Sequence, residues 1–457
     1  MTGARKARPG VAAALFGLFV AAETFLFLAE GDRWAVLLFV TRETWLLVGL
    51  LWLRNLLLSA AAGLGAILLV RIAAEGRARD LSQPGLPRRR EAAIVLLLLA
   101  GGVFLRWVDR SNTPPGVWHD VAYTLRPLLE DGWRNAALSG AWVGEDGPVT
   151  GAILGGPFLL LLAPAVAPFP AGDPQLLAVS AVPACLALAG VWLFARELEG
   201  PRAAAVALGF AAAMRWPLLV GRWMFSASWL VALMAFAAAG AVRSLRTGRL
   251  AGGLLAGVAA GVALSSYPAA AAVVPLFLAA WGLGAWRDRG SRRAFLLAAA
   301  LVAGFSLLQA SQLLSRGRPG GRVAETGFWT QVKDPTLGRR GGTADLLGRL
   351  AVSTRRCLGV FLWTPDPVAL HGLPDAAPLT PLAGGMALTG LALLAVRARR
   401  GERTASIPLG LVAGAMACGI LSNPTGAPGT LRMSVLVVPA AVAAGAATAA
   451  IVAWLAP

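Results

Sequence analysis

Apolar residues in this chain fall in runs too long and too evenly spread for helices that keep one face in water. The runs lie near 11–29, 45–70, 91–108, 174–195, 202–220, 223–241, 250–267, 269–286, 294–314, 380–396, 405–421 and 432–456, separated by Arg, Gly and Pro. About 18 apolar residues make a helix that spans the roughly 30 Å hydrocarbon layer, because a helix satisfies its own backbone hydrogen bonds where no water is available. The pattern therefore predicts an all-α polytopic membrane protein with about twelve transmembrane helices. One further run, GAILGGPFLLLLAPAVAPF at 151–169, carries three prolines and ends in PAGDP. It is predicted to be re-entrant or to lie in the interface, and that choice sets the topology of everything after it.

The charges decide between the two topologies. Short cytoplasmic loops hold an excess of Lys and Arg. With an inside N-terminus and a non-crossing 151–169, every short basic loop falls inside: Arg71 through Arg90, Arg196/Arg202, Arg243/Arg246/Arg249, Arg287/Arg289/Arg292/Arg293 and Arg397/Arg399/Arg400/Arg403. A crossing 151–169 would move all but the first of these outside. Both termini are thus expected in the cytoplasm, with long outer loops at 109–173 and 315–379 and a short one near 423–430.

Composition agrees, with 57% hydrophobic and 14% charged residues over 457 positions. The net charge of +18 does not point to nucleic acid, because the arginines sit in short clusters without a recognition motif or a stacking platform. Cys185, Cys357 and Cys418 have neither disulfide-framework nor zinc spacing. The first run follows Arg5, Lys6 and Arg8 as a signal peptide would, but no A-x-A-like site follows it, and a retained span is expected.

Candidate chemistry collects on the outer side. The stretch TPPGVWHDVAYTLRPLLEDG at 113–132 holds His119, Asp120 and Tyr123 in a chain with only two His and two Tyr. The others, His371 and Tyr267, are expected on the same side, His371 in the second long loop and Tyr267 at the outer end of 250–267. That second loop also carries Arg316, Arg318, Arg322, Lys333, Arg339, Arg340, Arg349, Arg355 and Arg356. Either its length frees it from the charge rule, or its guanidinium forks are held against phosphate at the membrane surface.

The order of these features resembles the C-type (GT-C) superfamily of membrane glycosyltransferases, particularly the bacterial protein O-mannosyltransferases and aminoarabinose transferases of glycosyltransferase family 39. FLRWVDRSNTPPGVWHDVAYT resembles the family's outer loop, with Asp120 in the place of its Asp. RELEGPRAAAVALGFAAA, VGRWMFSASWL, GLLAGVAAGVALSSYPAAAAVVPL, LHGLPDAAPLTPLAGGMALTGL and GAPGTLRMSVLVVP resemble later segments in the family's order. The likeness covers about 91–450, so residues 1–90 are expected to add two N-terminal spans to a core over 91–457. The sequence departs from the pattern at Val121, where the family has Glu, at Gly221, where it has Ser, and after Arg222, where some branches have Asp.

The resemblance implies transfer of a sugar from a polyprenyl-phosphate-linked donor to a glycan, lipid or protein acceptor on the extracytoplasmic face of a bacterial inner membrane. Membrane lipid is then a partner, and nucleic acid is not. An acceptor hydroxyl needs a general base, and Asp120 is the candidate. Asp120 is alternatively the N-cap of a short helix VAYTLRPLLED. Arg222 and Arg432 are candidates for the leaving phosphate, or else side chains snorkelling to lipid headgroups. His119, Tyr123, Tyr267 and His371 complete the expected substrate-binding set, with Tyr123 equally suited to anchor at the interface.

No cofactor is expected, and no obligatory metal. Glu145 and Asp146 are adjacent acids, but no DxD stands in the sequence. Gly253, Gly257 and Gly261, four residues apart, are expected to allow close helix packing. Trp216, Trp223 and Trp229 are expected in an aromatic belt. The rival readings are a transporter or flippase of a lipid-linked glycan, and a catalytically inactive GT-C-like scaffold.

Overall fold

The computed structural model describes residues 88–108, 141–143, 152–154, 156–166, 168–169, 173–223, 225–315, 343–362, 364, 377–421 and 429–455. Among these the only strands are β1 (Ala141–Val143) and β2 (Ala152–Leu154), paired antiparallel with Trp142 opposite Ile153. The rest is helical: α1 (Arg88–Trp107), α2 (Gly156–Val166), α3 (Asp173–Glu199), α4 (Pro201–Ala213), α5 (Arg215–Trp223), α6 (Phe225–Thr247), α7 (Leu250–Leu264), α8 (Ala270–Ala285) and α9 (Arg289–Ser315). After these come α10 (Thr343–Gly359), α11 (Pro381–Arg399), α12 (Ser406–Ile420) and α13 (Val437–Leu455), with 3₁₀ turns at Arg403–Ala405 and Ser434–Leu436.

Each of the ten expected spans from 91–108 onward meets a helix or a pair of helices, while 11–29 and 45–70 lie outside the described residues. Among the described residues six helices are long and apolar enough to cross a membrane, or seven if α4 and α5 count as one bent span. α1 falls short because Arg88, Arg89, Arg90 and Glu91 occupy its first turn and Arg106 its last. α7 and α8 have 15 and 16 residues, roughly 23 Å of rise, and so fall below the hydrocarbon thickness.

α2 settles how 151–169 runs. Its 11 residues rise only about 16 Å. Phe158 near its start packs edge-on against Trp229 at the start of α6, with ring centroids 5.9 Å apart. Phe169, just beyond its end, stacks at 5.6 Å on Trp107 at the end of α1. Both ends of the segment therefore sit at the same end of the bundle, and it does not cross.

The short basic loops meet at the opposite end. Arg196 Nε lies 3.0 Å from Glu91 Oε1, tying the end of α3 to the start of α1. Arg397, at the end of α11, reaches Glu199 Oε1 at 2.5 Å through Nη1 and Glu402 Oε1 at 2.5 Å through Nη2. Arg246 Nη2 donates to Leu198 O at 3.1 Å, which brings in the end of α6. A Cβ on Gly248 would come within 3.3 Å of Gly290 Cα, so the α6–α7 and α8–α9 turns touch. Ser406 Oγ donates to Ala280 O at 3.0 Å and joins the start of α12. Burial raises the Glu402 carboxyl, but hydrogen bonds from Arg397 outweigh it and hold the group below its usual range.

Small residues set the helix spacing, as the four-residue glycine period predicts. Gly253 faces Ala294, Gly257 faces Ala298 and Gly261 faces the Phe305 ring, so α7 lies almost backbone to backbone on α9. A Cβ on Gly257 would approach Ala298 Cα to 2.7 Å. The aromatic belt is corrected at two positions: Trp216 and Trp229 are fully buried, and Trp229 Nε1 donates to Val179 O at 3.0 Å. Trp216 opens α5 and Trp229 lies in the first turns of α6, both packed inward, so span-end position did not mean lipid exposure.

Candidate functional site

The loop-bearing end of the bundle is shaped by Pro217. In a continuous helix its ring would collide with the carbonyl four residues back, at Ala213. The chain instead breaks at Met214, which is extended at φ −60° and ψ 137°. α4 and α5 meet there at 58°. The break deprives the last carbonyls of α4 of their helical donors, and those carbonyls are buried among apolar side chains.

Arg106 supplies the donors. Its guanidinium, fully buried, gives hydrogen bonds to Ala211 O at 2.9 Å, Ala212 O at 3.4 Å and Gly102 O at 2.9 Å. The negative end of a helix dipole favours such a cation. Arg222, at the end of α5, does the same for α1. It donates to Leu105 O through Nε at 3.2 Å and Nη2 at 2.8 Å, and to Val108 O at 2.5 Å. Arg215, also buried, donates to Ala377 O ahead of α11.

Arg106 and Arg222 stand together, since a Cβ on the intervening Gly221 would lie 3.4 Å from Arg106 Nε. Beside them lies a shallow apolar recess lined by Ala184, Leu188, Val191, Pro217 and Val437, with Arg106 as the charged residue of its lining. The arrangement is an apolar recess set against a buried guanidinium whose Nη atoms are held by main-chain carbonyls. Chemically it suits an amphiphile whose head is anionic.

Of the other expected site residues, Tyr267 is half-buried in the α7–α8 turn. Arg432 lies in the turn before the Ser434–Leu436 3₁₀ helix, where its N–H donates to Gly429 O at 2.9 Å. Cys418 links the two turns: its Sγ donates to Ala269 O at 3.1 Å, and Arg432 is its charged neighbour. The structure thus gathers Arg222, Tyr267 and Arg432 at one end of the bundle. His119, Asp120, Tyr123 and His371 lie outside the described residues, as do Val121, Glu145, Asp146 and Asp366. Among the described residues no three of His, Cys, Asp and Glu converge as a metal set would.

Arg106 and Arg215 were missed in the sequence. Arg106 carried a signal, a lone charge one turn inside an apolar run before an outer loop, but beside Trp107 it passes for an ordinary span flank. Arg215 carried its signal next to Pro217, where a break in a span exposes carbonyls that need donors.

Fold and site together define a multi-pass helical membrane protein with buried arginines at one end and an ionic cluster at the other. No protein-family model matches the chain, and no curated protein matches it. Among solved structures it is similar to the oligosaccharyltransferase of Archaeoglobus fulgidus tethered to an acceptor peptide containing the NVT sequon. That likeness has 15% identity, a TM-score of 0.46 and coverage of 78% of this chain and 49% of that one. It is also similar to the archaeal oligosaccharyltransferase AglB of the same organism in complex with an inhibitory peptide and a dolichol-phosphate. Here the identity is 16% and the TM-score 0.48, over 79% of this chain and 50% of that one. The chain spans about half the length of these proteins.

Proposed function

We propose that this chain is a GT-C-type membrane glycosyltransferase, of the kind found in glycosyltransferase family 39, acting at the outer face of a bacterial inner membrane. It takes a sugar from a polyprenyl-phosphate carrier and passes it to an acceptor hydroxyl. The observation that carries the reading is the Arg106–Arg222 pair beside an apolar recess. A polyprenyl phosphate has the same division, an apolar chain and an anionic head, and the two guanidiniums place positive potential where the leaving phosphate gains charge.

In the step itself the acceptor oxygen bonds to the anomeric carbon while the bond from that carbon to the phosphate oxygen breaks. The phosphate leaves with the electron pair, and Asp120 takes the hydroxyl proton. Arg432 and Tyr267, with His119, Tyr123 and His371 from the long loops, bind the sugar and acceptor.

The test is reconstitution into liposomes with radiolabelled polyprenyl-phosphate hexoses and pentoses and a membrane extract as acceptor. Labelled product and free polyprenyl phosphate are expected. Asp120→Asn keeps size and capping ability, so it is expected to fold and bind donor but to lose about 10²–10⁴ in turnover. Full activity in that variant would leave Asp120 a helix cap and move the base to Asp366, the acid of the TPDP segment in the second long loop. Label that changes leaflet without being consumed would favour the flippase. The inactive-scaffold reading has its own support, since Arg106, Arg215 and Arg222 all hold main-chain carbonyls. A folded protein that neither consumes nor moves the donor would favour it.

A further inference from the structure

The second long loop contains a helix, α10, that carries none of the expected catalytic or substrate-binding residues. One face of α10 is built into the bundle: Ser353 and Cys357, with Val360 just past its end, are fully buried, and a Cβ on Gly419 in the last turn of α12 would come within 2.8 Å of Cys357 Sγ. Phe361, just past α10, lies with its backbone against Gly384 in the first turn of α11. The end of α10 is thereby fixed at the rim of two spans.

The other face has the wrong composition for water. Leu347, Val352 and Leu358 are 60%, 48% and 55% exposed. Leu347, Ala351, Arg355 and Leu358 are spaced i, i+4, i+8 and i+11 and form one outward stripe, with Val352 and Arg356 beside it; both arginines are exposed. Leu382, at the start of α11, and Leu421, just past α12, are exposed too and are chain neighbours of the residues that touch the end of α10. The apolar stripe therefore continues the lipid-facing rim of the bundle.

We propose that α10 lies in the membrane–water boundary at the loop-bearing end, its leucine face sunk among acyl chains and its arginines on anionic phospholipid headgroups. A helix with an apolar face and basic residues settles 5–10 Å into that layer. Long Arg side chains let the charge reach the headgroups while their stems stay in the apolar region. Anionic lipid adds electrostatic attraction within a Debye length. This does not depend on the catalytic reading.

The experiment uses the full chain in nanodiscs, with Cys185, Cys357 and Cys418 replaced by Ala and Val352→Cys labelled with bimane. Blue-shifted emission quenched by acyl-brominated lipid is expected, stronger in phosphatidylglycerol than in phosphatidylcholine. Arg355→Gln with Arg356→Gln is expected to remove that lipid preference. Leu307→Cys, on the exposed face of α9, reports whether each variant has kept its bundle. Quenching by aqueous iodide instead would place the helix in water and overturn the proposal. Protection from both quenchers would show a protein partner on this face and overturn it equally. Hydrogen exchange on the unaltered chain gives a second reading: α10 amides should exchange several-fold more slowly in phosphatidylglycerol, and equal rates in the two lipids would sink the proposal.

Discussion

Pro217 and Arg106 are a matched pair across the break between α4 and α5, one removing backbone donors and the other replacing them. Arg222 closes the same set from the other direction by holding the end of α1. Its geometry sharpens what a substitution there should do. Arg222→Lys keeps the charge but cannot hold two carbonyls and a phosphate with one planar fork. A lost bond to a charged group is worth roughly 1.5–3 kcal/mol, so donor affinity by equilibrium binding should fall about tenfold to a hundredfold. Unchanged affinity with a lowered melting temperature would leave Arg222 a clamp on α1 and nothing more. The sequence showed that Arg222 ends a span before an outer loop, but not that its partners include carbonyls 114 and 117 positions away. Long-range main-chain partners leave no local pattern. Trp216 and Trp229 failed as belt residues for a related reason, since both are buried in the bundle and Trp229 finds its partner at Val179 O, fifty residues away.

The helices differ in how visible they were. The long apolar runs were legible because apolar length alone meets the physical requirement for crossing. The glycine period was legible too, and it carries a prediction. Gly257→Leu would drive a side chain into Ala298, where even a Cβ has only 2.7 Å. α7 and α9 must then separate, and a loss of about 1–3 kcal/mol or more is expected from overpacking. Thermal unfolding in detergent should show it, whereas Gly304→Leu, on α9 with open space around its Cβ position, should not. α10 was not legible, because its apolar positions are interleaved with arginines in a loop selected for its polarity. The break between α4 and α5 was written in Pro217, but one proline inside 202–220 did not distinguish a kink from two helices.

Across the described residues, the gathering of four basic loops and the Arg88–Arg90 start of α1 at one end is the strongest agreement between charge pattern and structure. It fixes which loops share a side; labelling decides which side that is. In a chain with its native cysteines replaced, single cysteines at Ser139 and Gly342 should react with an impermeant maleimide from outside, and one at Gly401 should not. Reaction at Gly401 alone would invert the molecule and move the proposed site to the cytoplasm. The Glu199–Arg397–Glu402 cluster that closes the basic end also has a consequence in time. Glu199 and Arg397 are 198 residues apart, so at about 5–20 residues per second the carboxylate is made roughly 10–40 s before its cation. Until then the Glu199 carboxyl lacks its hydrogen-bonded guanidinium and has Arg246, 47 positions on, as its nearby charge. The late helices act as the latch on an early one, and a ribosome that stalls before Arg397 leaves an unfinished chain marked by an acid without its cation.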